Sequence, residues 1–470
     1  MAILEFKRKT HCAALFLLLS LSVLAEAGSK ETTGELPKKK VWLGCAAPAI
    51  AGGIFKKDYL ATMTNPKSWK SVLPHVKGVT MKQNDFHIAK VKGKMVQKMS
   101  NSEIKDYVSF VEKNDLLFGV EIGGLRLRKK RGKSKEMMTP TEYMDILTLP
   151  LLKRWTDAGG KLDLVSTDHA IAYTVKEIPE KSWEKATEMF AEAMAAFHKA
   201  YPNTKIGIFE SLGYFDVTLD DGTVLKSASK TTPAIDFQKV LELTKKAFKK
   251  RKVPLDFFIL DYQIKGFIGD HARLNKTGKS KDANPLTAPL SFDRVHAVHK
   301  LVKNENLDFY FLFTPGQYGH DDALNGLNKT QANERAAKIM QRVFESYVKD
   351  GGRGDELFIY TWHAYPSYVG PESRENSFMN IAKKVTASDE YEQFWGNSSN
   401  SQDSDSSKPP MKKVPAKKIP ASKAGEKSSE NSKFLASFLK KNPTADADKD
   451  GIMTSTEFKK YKLSKAKGDQ

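Results

Sequence analysis

Residues 205–260 decide the fold of this 470-residue chain. The stretch begins with KIGIF (residues 205–209) and ends with LDFFIL (residues 255–260), two apolar runs of strand length. Between them, residues 235–251 carry the apolar spacing of a helix. Continuous apolar runs joined by a helix are typical of parallel strands that are covered on both faces. The stretch therefore predicts a strand–helix–strand unit of an α/β domain.

The same alternation extends over residues 38–396. Predicted strands lie at 41–45, 78–82, 117–122, 162–166, 205–209, 255–260, 307–313 and 357–361. Predicted helices lie at 102–113, 141–158, 181–200, 235–251, 291–304 and 331–350. Eight strands interleaved with helices predict a (β/α)8, or TIM-like, barrel with enlarged loops. The alternative is an open doubly wound sheet, which normally carries a glycine-rich phosphate turn after its first strand; GCAAP at 44–48 is not such a turn.

The composition is that of a globular protein, with 40% hydrophobic and 28% charged residues, which excludes full-length disorder and a fibrous repeat. Lysine and arginine outnumber the acids by 76 to 56, and the formal net charge is +20. Two cysteines cannot form a disulfide framework. A composition this basic suggests nucleic acid as a partner. Predicted export and the lack of a nucleic-acid-binding motif argue against that partner.

The first 27 residues resemble a secretory signal peptide. Lys7, Arg8 and Lys9 precede an apolar run over residues 12–24, and AEA at 25–27 is a small-x-small cleavage site. A retained N-terminal anchor is the alternative, for which the apolar run is short. Cleavage leaves a single thiol, which favours a secreted or periplasmic bacterial protein. We predict no transmembrane segment in the mature chain, because no other stretch approaches about 18 apolar residues.

Beyond residue 396 the composition changes. Residues 397–432 are rich in Ser, Lys, Pro and Asn and almost free of large apolar side chains. Such a segment cannot bury enough surface to offset the entropy of ordering, so it is predicted to be a disordered, flexible linker. It leads to a second apolar-patterned segment over residues 433–463.

This last segment contains a complete calcium-loop motif. Residues 446–457 read DADKDGIMTSTE and match the twelve-position D-x-D-x-D-G-x5-E pattern in full. Ca2+ prefers six to eight oxygen ligands, and the predicted ligands are Asp446, Asp448, Asp450, the carbonyl of Ile452, Thr454 and Glu457. Apolar residues on both sides predict an entering and an exiting helix.

With this loop and its flanking helices, residues 433–463 resemble an EF-hand, and more narrowly the lone EF-hands that linkers attach to secreted bacterial enzymes. EF-hand loops usually occur in pairs, whereas this chain has one. The departure favours a weak extracellular calcium module, with a dissociation constant on the order of 0.1–1 mM.

The candidate active site lies at the predicted C-terminal ends of the barrel strands, where such barrels carry their chemistry. Strands three to six each deliver a carboxylate at or just past their ends: Glu121, Asp168, Glu210 and Asp261. Burying several acids together costs free energy unless they are paired, so a purely structural role for all four is disfavoured. Paired carboxylates cleave glycosidic bonds, because one protonates the leaving oxygen while the other attacks the anomeric carbon or activates water.

Residues 40–390 therefore resemble a secreted TIM-barrel glycoside hydrolase. The large clan with two catalytic glutamates has them on strands four and seven, and this chain departs from it by carrying Asp168 on strand four. Families with aspartates on strands four and six fit better. That resemblance implies Asp168 as nucleophile and Asp261 as acid/base, with Glu210 as the rival for either role. Glu121 is expected to orient its neighbours.

Further residues at the strand ends are predicted to bind substrate, together with Glu121: His169, Gln263, Trp362, His363 and Tyr365. Trp362 and Tyr365 can stack on sugar faces. The basic run at 126–135, which includes Arg126 and Arg128, is either solvated or recruits a sulfated or uronic polysaccharide.

Two other functions remain open at this point. The protein could be a non-catalytic, calcium-dependent glycan- or surface-binding protein. Alternatively, the four strand-end acids could hold a divalent metal, as in sugar isomerase-like barrels. The sequence contains no cofactor-binding fingerprint, so Ca2+ is the one cofactor that we predict.

Overall fold

The computed structural model describes residues 39–45, 58–91, 94–97, 99–123, 125, 137–275, 283–316 and 326–395. Eight parallel strands form a closed barrel: β1 (Val41–Cys45), β2 (Val76–Lys82), β3 (Leu117–Gly123), β4 (Leu164–Asp168), β5 (Lys205–Ser211), β6 (Phe257–Asp261), β7 (Asp308–Phe313) and β8 (Glu356–Thr361). Each strand pairs with its neighbours in the chain, and β1 pairs with β8, with Val41 opposite Leu357. The predicted (β/α)8 barrel is confirmed, and the open-sheet alternative is wrong because this pairing closes the sheet.

Helices cover the barrel in the part of the chain that the structure describes. They are α1 (Tyr59–Met63), α2 (Asn101–Lys113), α3 (Pro140–Tyr143), α4 (Leu149–Asp157), α5 (Ala170–Glu177), α6 (Trp183–Ala200), α7 (Phe237–Arg251), α8 (Ile264–Leu274), α9 (Asp293–Asn304), α10 (Lys329–Lys349), α11 (Phe378–Thr386) and α12 (Asp389–Trp395). The predicted helices agree within two residues, except that a π-helical turn (Met144–Thr148) divides the one predicted at 141–158. Pro150 lies at the start of α4 and lacks the N–H that a continuous helix would need.

The barrel is filled rather than hollow. Inward-facing side chains form one cluster in which each residue is at most 3% exposed: Trp42, Leu164, Phe209, Phe257, Ile259, Tyr310, Leu312, Phe358 and Tyr360. Gly44 and Gly207 leave room for the rings of Tyr360 and Phe257, because a Cβ at either glycine would overlap those rings. The outward-facing residues pack against the helices in a second, larger cluster. This alternation fixes which strand residues reach the lumen.

At the N-terminal end of the barrel, a buried carboxylate has a partner for each of its oxygens. Glu356, the first residue of β8, is 5% exposed. It accepts a hydrogen bond from the indole N–H of Trp42 and forms an ion pair with Lys77. Burial raises the pKa of Glu356, although Lys77 and Trp42 favour its charged form. Both carboxylate oxygens therefore have a partner at this end.

The chain divides into a unit of Met1–Asn400 and a unit of Ser401–Gln470. The predicted signal peptide (1–27), linker (397–432) and EF-hand-like segment (433–463) lie outside the described residues. Along the described ranges, no helix has both the length and the apolar character that crossing a bilayer requires.

Candidate active site

Charged side chains replace the apolar filling at the C-terminal opening of the lumen. Side chains alternate along a strand, so the inward positions on β2, β3, β4 and β6 end at Lys82, Glu121, Asp168 and Asp261. The C-terminal ends of the barrel strands meet at one opening. The fold therefore brings these four residues together from positions 82 to 261 of the chain.

Lys82, Glu121 and Tyr360 form one hydrogen-bonded group. Lys82 Nζ lies 2.6 Å from Glu121 Oε1, and the Tyr360 hydroxyl donates to Glu121 Oε2 at 2.5 Å. Glu121 is 2% exposed, and burial raises the pKa of its carboxyl although Lys82 opposes the shift. Burial alone would lower the pKa of Lys82, but its attraction to Glu121, Asp168 and Asp85 outweighs burial and raises it.

His169 joins the two aspartates of the opening. Its Nε2 lies 2.8 Å from Asp261 Oδ2 and 3.6 Å from Asp168 Oδ1. His169 makes the turn from β4 into α5 with a left-handed backbone, at a φ of 49°. A left-handed conformation costs a non-glycine residue about 1–2 kcal/mol. Strain of this kind is concentrated at functional sites.

The imidazole of His169 is kept protonated by its neighbours. Burial alone would lower its pKa, but attraction to Asp168, the hydrogen bond to Asp261 and attraction to Glu210 together raise the pKa to about 9. At neutral pH His169 is therefore a cation, and it holds a proton between the carboxylates of Asp168 and Asp261.

Asp168 and Asp261 differ in access but lie close together. The side chain of Asp168 is 30% exposed, whereas that of Asp261 is 3% exposed. One oxygen of Asp168 and one oxygen of Asp261 lie near Nε2 of His169. The distance between these two oxygens is therefore at most the sum of their distances to that nitrogen. Both carboxyl groups therefore face one side chain, His169, at the opening.

Glu210 lies on β5 but faces away from the lumen. Phe209 fills the lumen, so the alternation of the strand turns Glu210 outward, toward α5. Its Oε1 accepts hydrogen bonds from the backbone N–H groups of Ile171 at 2.7 Å and Ala172 at 3.4 Å. Burial raises the pKa of Glu210 to about 7, although His169 and these N–H groups favour the charged form. Glu210, predicted as the rival for either catalytic role, thus binds the first turn of α5 next to His169.

Aromatic side chains border the Lys82 side of the opening. The Trp362 ring centroid lies 5.7 Å from that of Tyr360 and 4.7 Å from that of His363, and Lys82 Nζ lies 5.7 Å from the Trp362 ring. Trp362 is partly buried, whereas His363 is 3% exposed. Trp362 therefore offers an apolar surface directly beside the charged groups.

The remaining predicted site residues are placed as follows. Gln263 is partly buried where α8 begins and lies against Gly316, and Tyr365 is partly buried after β8. Arg126 and Arg128 lie outside the described residues. So do the predicted calcium ligands, Asp446, Asp448, Asp450, Ile452, Thr454 and Glu457.

Sequence reasoning assigned no role to Lys82 or Tyr360, although both contact Glu121. A signal for Tyr360 was available. Phe358, Tyr360 and Trp362 follow one another at a spacing of two, so they share one face of the last strand and its extension. The contact of Tyr360 with Glu121 could not be read in this way, because it joins two distant strands.

The predicted metal-holding alternative required the four strand-end acids to converge on one point. In the ranges that the structure describes, no group of three or more His, Cys, Asp or Glu is placed to hold a metal ion. Glu121 contacts Lys82, Asp261 contacts His169, and Glu210 faces α5. This arrangement does not favour a metal site built from these acids.

No protein-family model and no curated protein matches the chain. Among solved structures, it is similar to native xylanase 10B from Thermotoga maritima, with 11% identity, a TM-score of 0.36, and 69% of this chain and 83% of that chain covered. It is similar to a GH113 β-1,4-mannanase, with 12% identity, a TM-score of 0.35, and 76% and 98% covered. For a D-psicose 3-epimerase the values are 9%, 0.32, 69% and 85%. Likeness at this level carries no argument about the reaction, so the function has to be argued from the opening itself.

Proposed function

We propose that the barrel is a glycoside hydrolase that acts on a polysaccharide at its C-terminal opening. One observation carries the proposal: the partly exposed carboxyl group of Asp168 lies 3.6 Å from His169 Nε2, which also contacts Asp261 at 2.8 Å. The cation at His169 and the carboxyl group of Asp168 match what a retaining glycosidase needs, a donor that protonates the leaving oxygen and a carboxylate that attacks the anomeric carbon.

The proposed reaction has two steps. First, Asp168 attacks the anomeric carbon, the bond to the leaving oxygen breaks, and that oxygen takes the proton shared by His169 and Asp261. Water then attacks the anomeric carbon, the bond to Asp168 breaks, and a proton of the water returns to the His169–Asp261 pair. The attack is assigned to Asp168 because it is the more exposed of the two aspartates, at 30% against 3%.

The neighbouring residues support these steps. Lys82, paired with Glu121, places a positive charge at the same opening as Asp168. Glu210 is a positioning residue, since it fixes the start of α5 next to His169. Trp362 supplies an apolar surface for a sugar face.

The test is a screen of the full chain against neutral, uronic and sulfated polysaccharides, with release of reducing ends as the readout. Wild-type protein should act on at least one of them, and Asp168→Asn and Asp261→Asn should each lower the rate at least about 1,000-fold. Asp308→Asn is the matched control, because Asp308 begins β7 at the opposite end of the barrel and is 40% exposed. Wild-type rates in both opening variants would overturn the proposal.

A non-catalytic glycan-binding protein is the competing outcome of this screen. It predicts no reducing ends from any polysaccharide, together with retention on anionic glycans that weakens with salt. The net charge of +20 favours this outcome, because a positively charged protein attracts anionic glycans.

We further propose that residues 446–457 bind Ca2+, on the strength of the complete loop pattern. Calorimetric titration of the full chain with CaCl2 should show one site with a dissociation constant on the order of 0.1–1 mM. Asp446→Asn combined with Glu457→Gln should abolish it, whereas Asp403→Asn in the proposed linker should not. Equal heats in all three proteins would refute the site.

We also propose that the protein is exported and that residues 1–27 are removed. Expression of the full chain in a bacterium should yield exported protein whose N-terminal sequence begins at Gly28. An intact N-terminus in the membrane fraction would instead identify a retained anchor.

A further inference from the structure

A second lysine lies beside the opening, held by two tyrosines. Lys176, near the end of α5, donates a hydrogen bond to the Tyr214 hydroxyl at 2.9 Å. Its Nζ lies 4.3 Å from the ring centroid of Tyr214 and 5.1 Å from that of Tyr173. Tyr214 ends the short turn that follows β5, and Tyr173 lies on α5 itself. We call these three residues the tyrosine–lysine shelf.

The shelf adjoins the residues that we propose to be catalytic. The His169 ring centroid lies 5.2 Å from that of Tyr173 and 5.7 Å from that of Tyr214. Lys176, Tyr173 and Tyr214 are each partly exposed. A ligand that reaches Asp168 at the opening therefore has the shelf within reach on the α5 side.

The charge of Lys176 is not neutralised by the described part of the protein. Lys82 forms an ion pair with Glu121 at 2.6 Å. For Lys176, the described residues provide no carboxylate at ion-pair distance. The described contacts of the Lys176 ammonium group are with the two tyrosines. Aromatic faces attract a cation without cancelling its charge. They also hold the long side chain in one place, so less entropy is lost when a ligand binds.

We propose that the tyrosine–lysine shelf is a subsite for an anionic group, a carboxylate or a sulfate, on the polysaccharide substrate. This deepens the proposed hydrolase function, and rests on it, by naming the substrate class. An ammonium that is already positioned and lacks an acidic partner suits such a group, and tyrosine hydroxyls can add hydrogen bonds to its oxygens. Neutral sugars would not engage the charge of Lys176.

The experiment measures binding without turnover. All proteins carry Asp168→Asn and are run on affinity gels that contain polygalacturonate, dextran sulfate or neutral dextran. Lys176→Gln should weaken retention on the preferred anionic gel roughly tenfold. Lys176→Arg should restore most of it, and Tyr214→Phe should cause a smaller loss because the charge remains. No variant should change migration in neutral dextran.

Lys199→Gln is the matched control for nonspecific attraction to a basic protein. Lys199 is exposed at the C-terminal end of α6, which leads into the start of β5 at the opposite end of the barrel. Loss of retention on polygalacturonate alone identifies a uronate, and loss on dextran sulfate alone identifies a sulfate. Equal effects of Lys176→Gln and Lys199→Gln, or no retention of the Asp168→Asn parent on either anionic gel, would overturn the subsite. The affinity gels measure binding alone. A protein that is retained through Lys176 but cleaves no polysaccharide would therefore refute the hydrolase proposal and keep the subsite.

Discussion

The two ends of the barrel treat their buried charges differently. At the N-terminal end, both oxygens of Glu356 have a partner, Trp42 for one and Lys77 for the other. At the C-terminal opening, Asp261 Oδ1 and Glu210 Oε2 are buried, and the described residues offer neither atom a hydrogen-bond partner. Buried polar atoms in folded proteins are nearly always hydrogen-bonded. The carboxyl groups of Asp261 and Glu210 are thus less completely hydrogen-bonded than that of Glu356.

This difference is consistent with a structural role for the N-terminal end and with the function that we propose for the opening. Proteins commonly retain unfavourable local arrangements where activity needs them, and compensate through packing elsewhere. Here the compensation comes from the filled lumen below the opening and from the satisfied Glu356 group. Four predictions test the comparison, and they are given in order of expected effect.

The largest effect is expected for His169→Gln, which removes the proposed proton carrier of the opening. Activity on the substrate found by the screen should fall about 100- to 1,000-fold, as for loss of a general acid–base group. His296→Gln is the matched control, because His296 lies on α9 and has its own aspartate partner, Asp350, at 3.0 Å. Steady-state kinetics that show an unchanged rate in His169→Gln would remove this residue from the reaction.

The second effect concerns the N-terminal end. Glu356→Ala should lower the free energy of unfolding by about 2–3 kcal/mol, because the buried indole N–H of Trp42 loses its acceptor. Glu356→Gln keeps an acceptor and should cost less. Urea unfolding measures the loss, while the rate per folded molecule should stay at the wild-type value. A lower rate at full folding would contradict the division of roles between the two ends.

The third effect is a pH dependence that originates at the opening. The pKa of His169 rises from 6.5 to about 9 on folding, so its charge stabilises the fold fully below pH 6.5, and this contribution is lost as pH rises to about 9. The loss should amount to about 3 kcal/mol in wild-type protein. Urea unfolding of His169→Gln should show a flatter profile across this range; parallel profiles would show that His169 is not the source.

The smallest effect is expected for Glu210→Gln. The pKa of Glu210 is raised from 4.5 to about 7, so its contribution to stability is present below pH 4.5 and lost as pH rises through 7. Glutamine cannot ionise, so Glu210→Gln should make the protein more stable than the wild type at pH 8. At pH 5 the two proteins should unfold at nearly the same urea concentration, and a gain at both pH values would point to another cause.

The positions of the strands could be predicted from the sequence, because each strand depends on a local apolar run. The residues at which strands end were predicted less accurately. The predicted fourth strand ends at residue 166, where the apolar run stops. In the structure β4 extends to Asp168, which lies in register between Gly123 of β3 and Phe209 of β5. Pairing with neighbouring strands, and not hydrophobicity, carried the strand two residues further.

The sequence by itself determined the barrel and the arrival of acids at its strand ends, because both follow from periodic patterns within short segments. Only the tertiary structure decided that Glu210 faces α5, that His169 is held protonated by carboxylates from three strands, and that Lys176 rests on tyrosines. Glu121 and Tyr360 are 239 positions apart, yet they share a hydrogen bond. Contacts of this kind exist only once the sheet closes, so no local pattern encodes them.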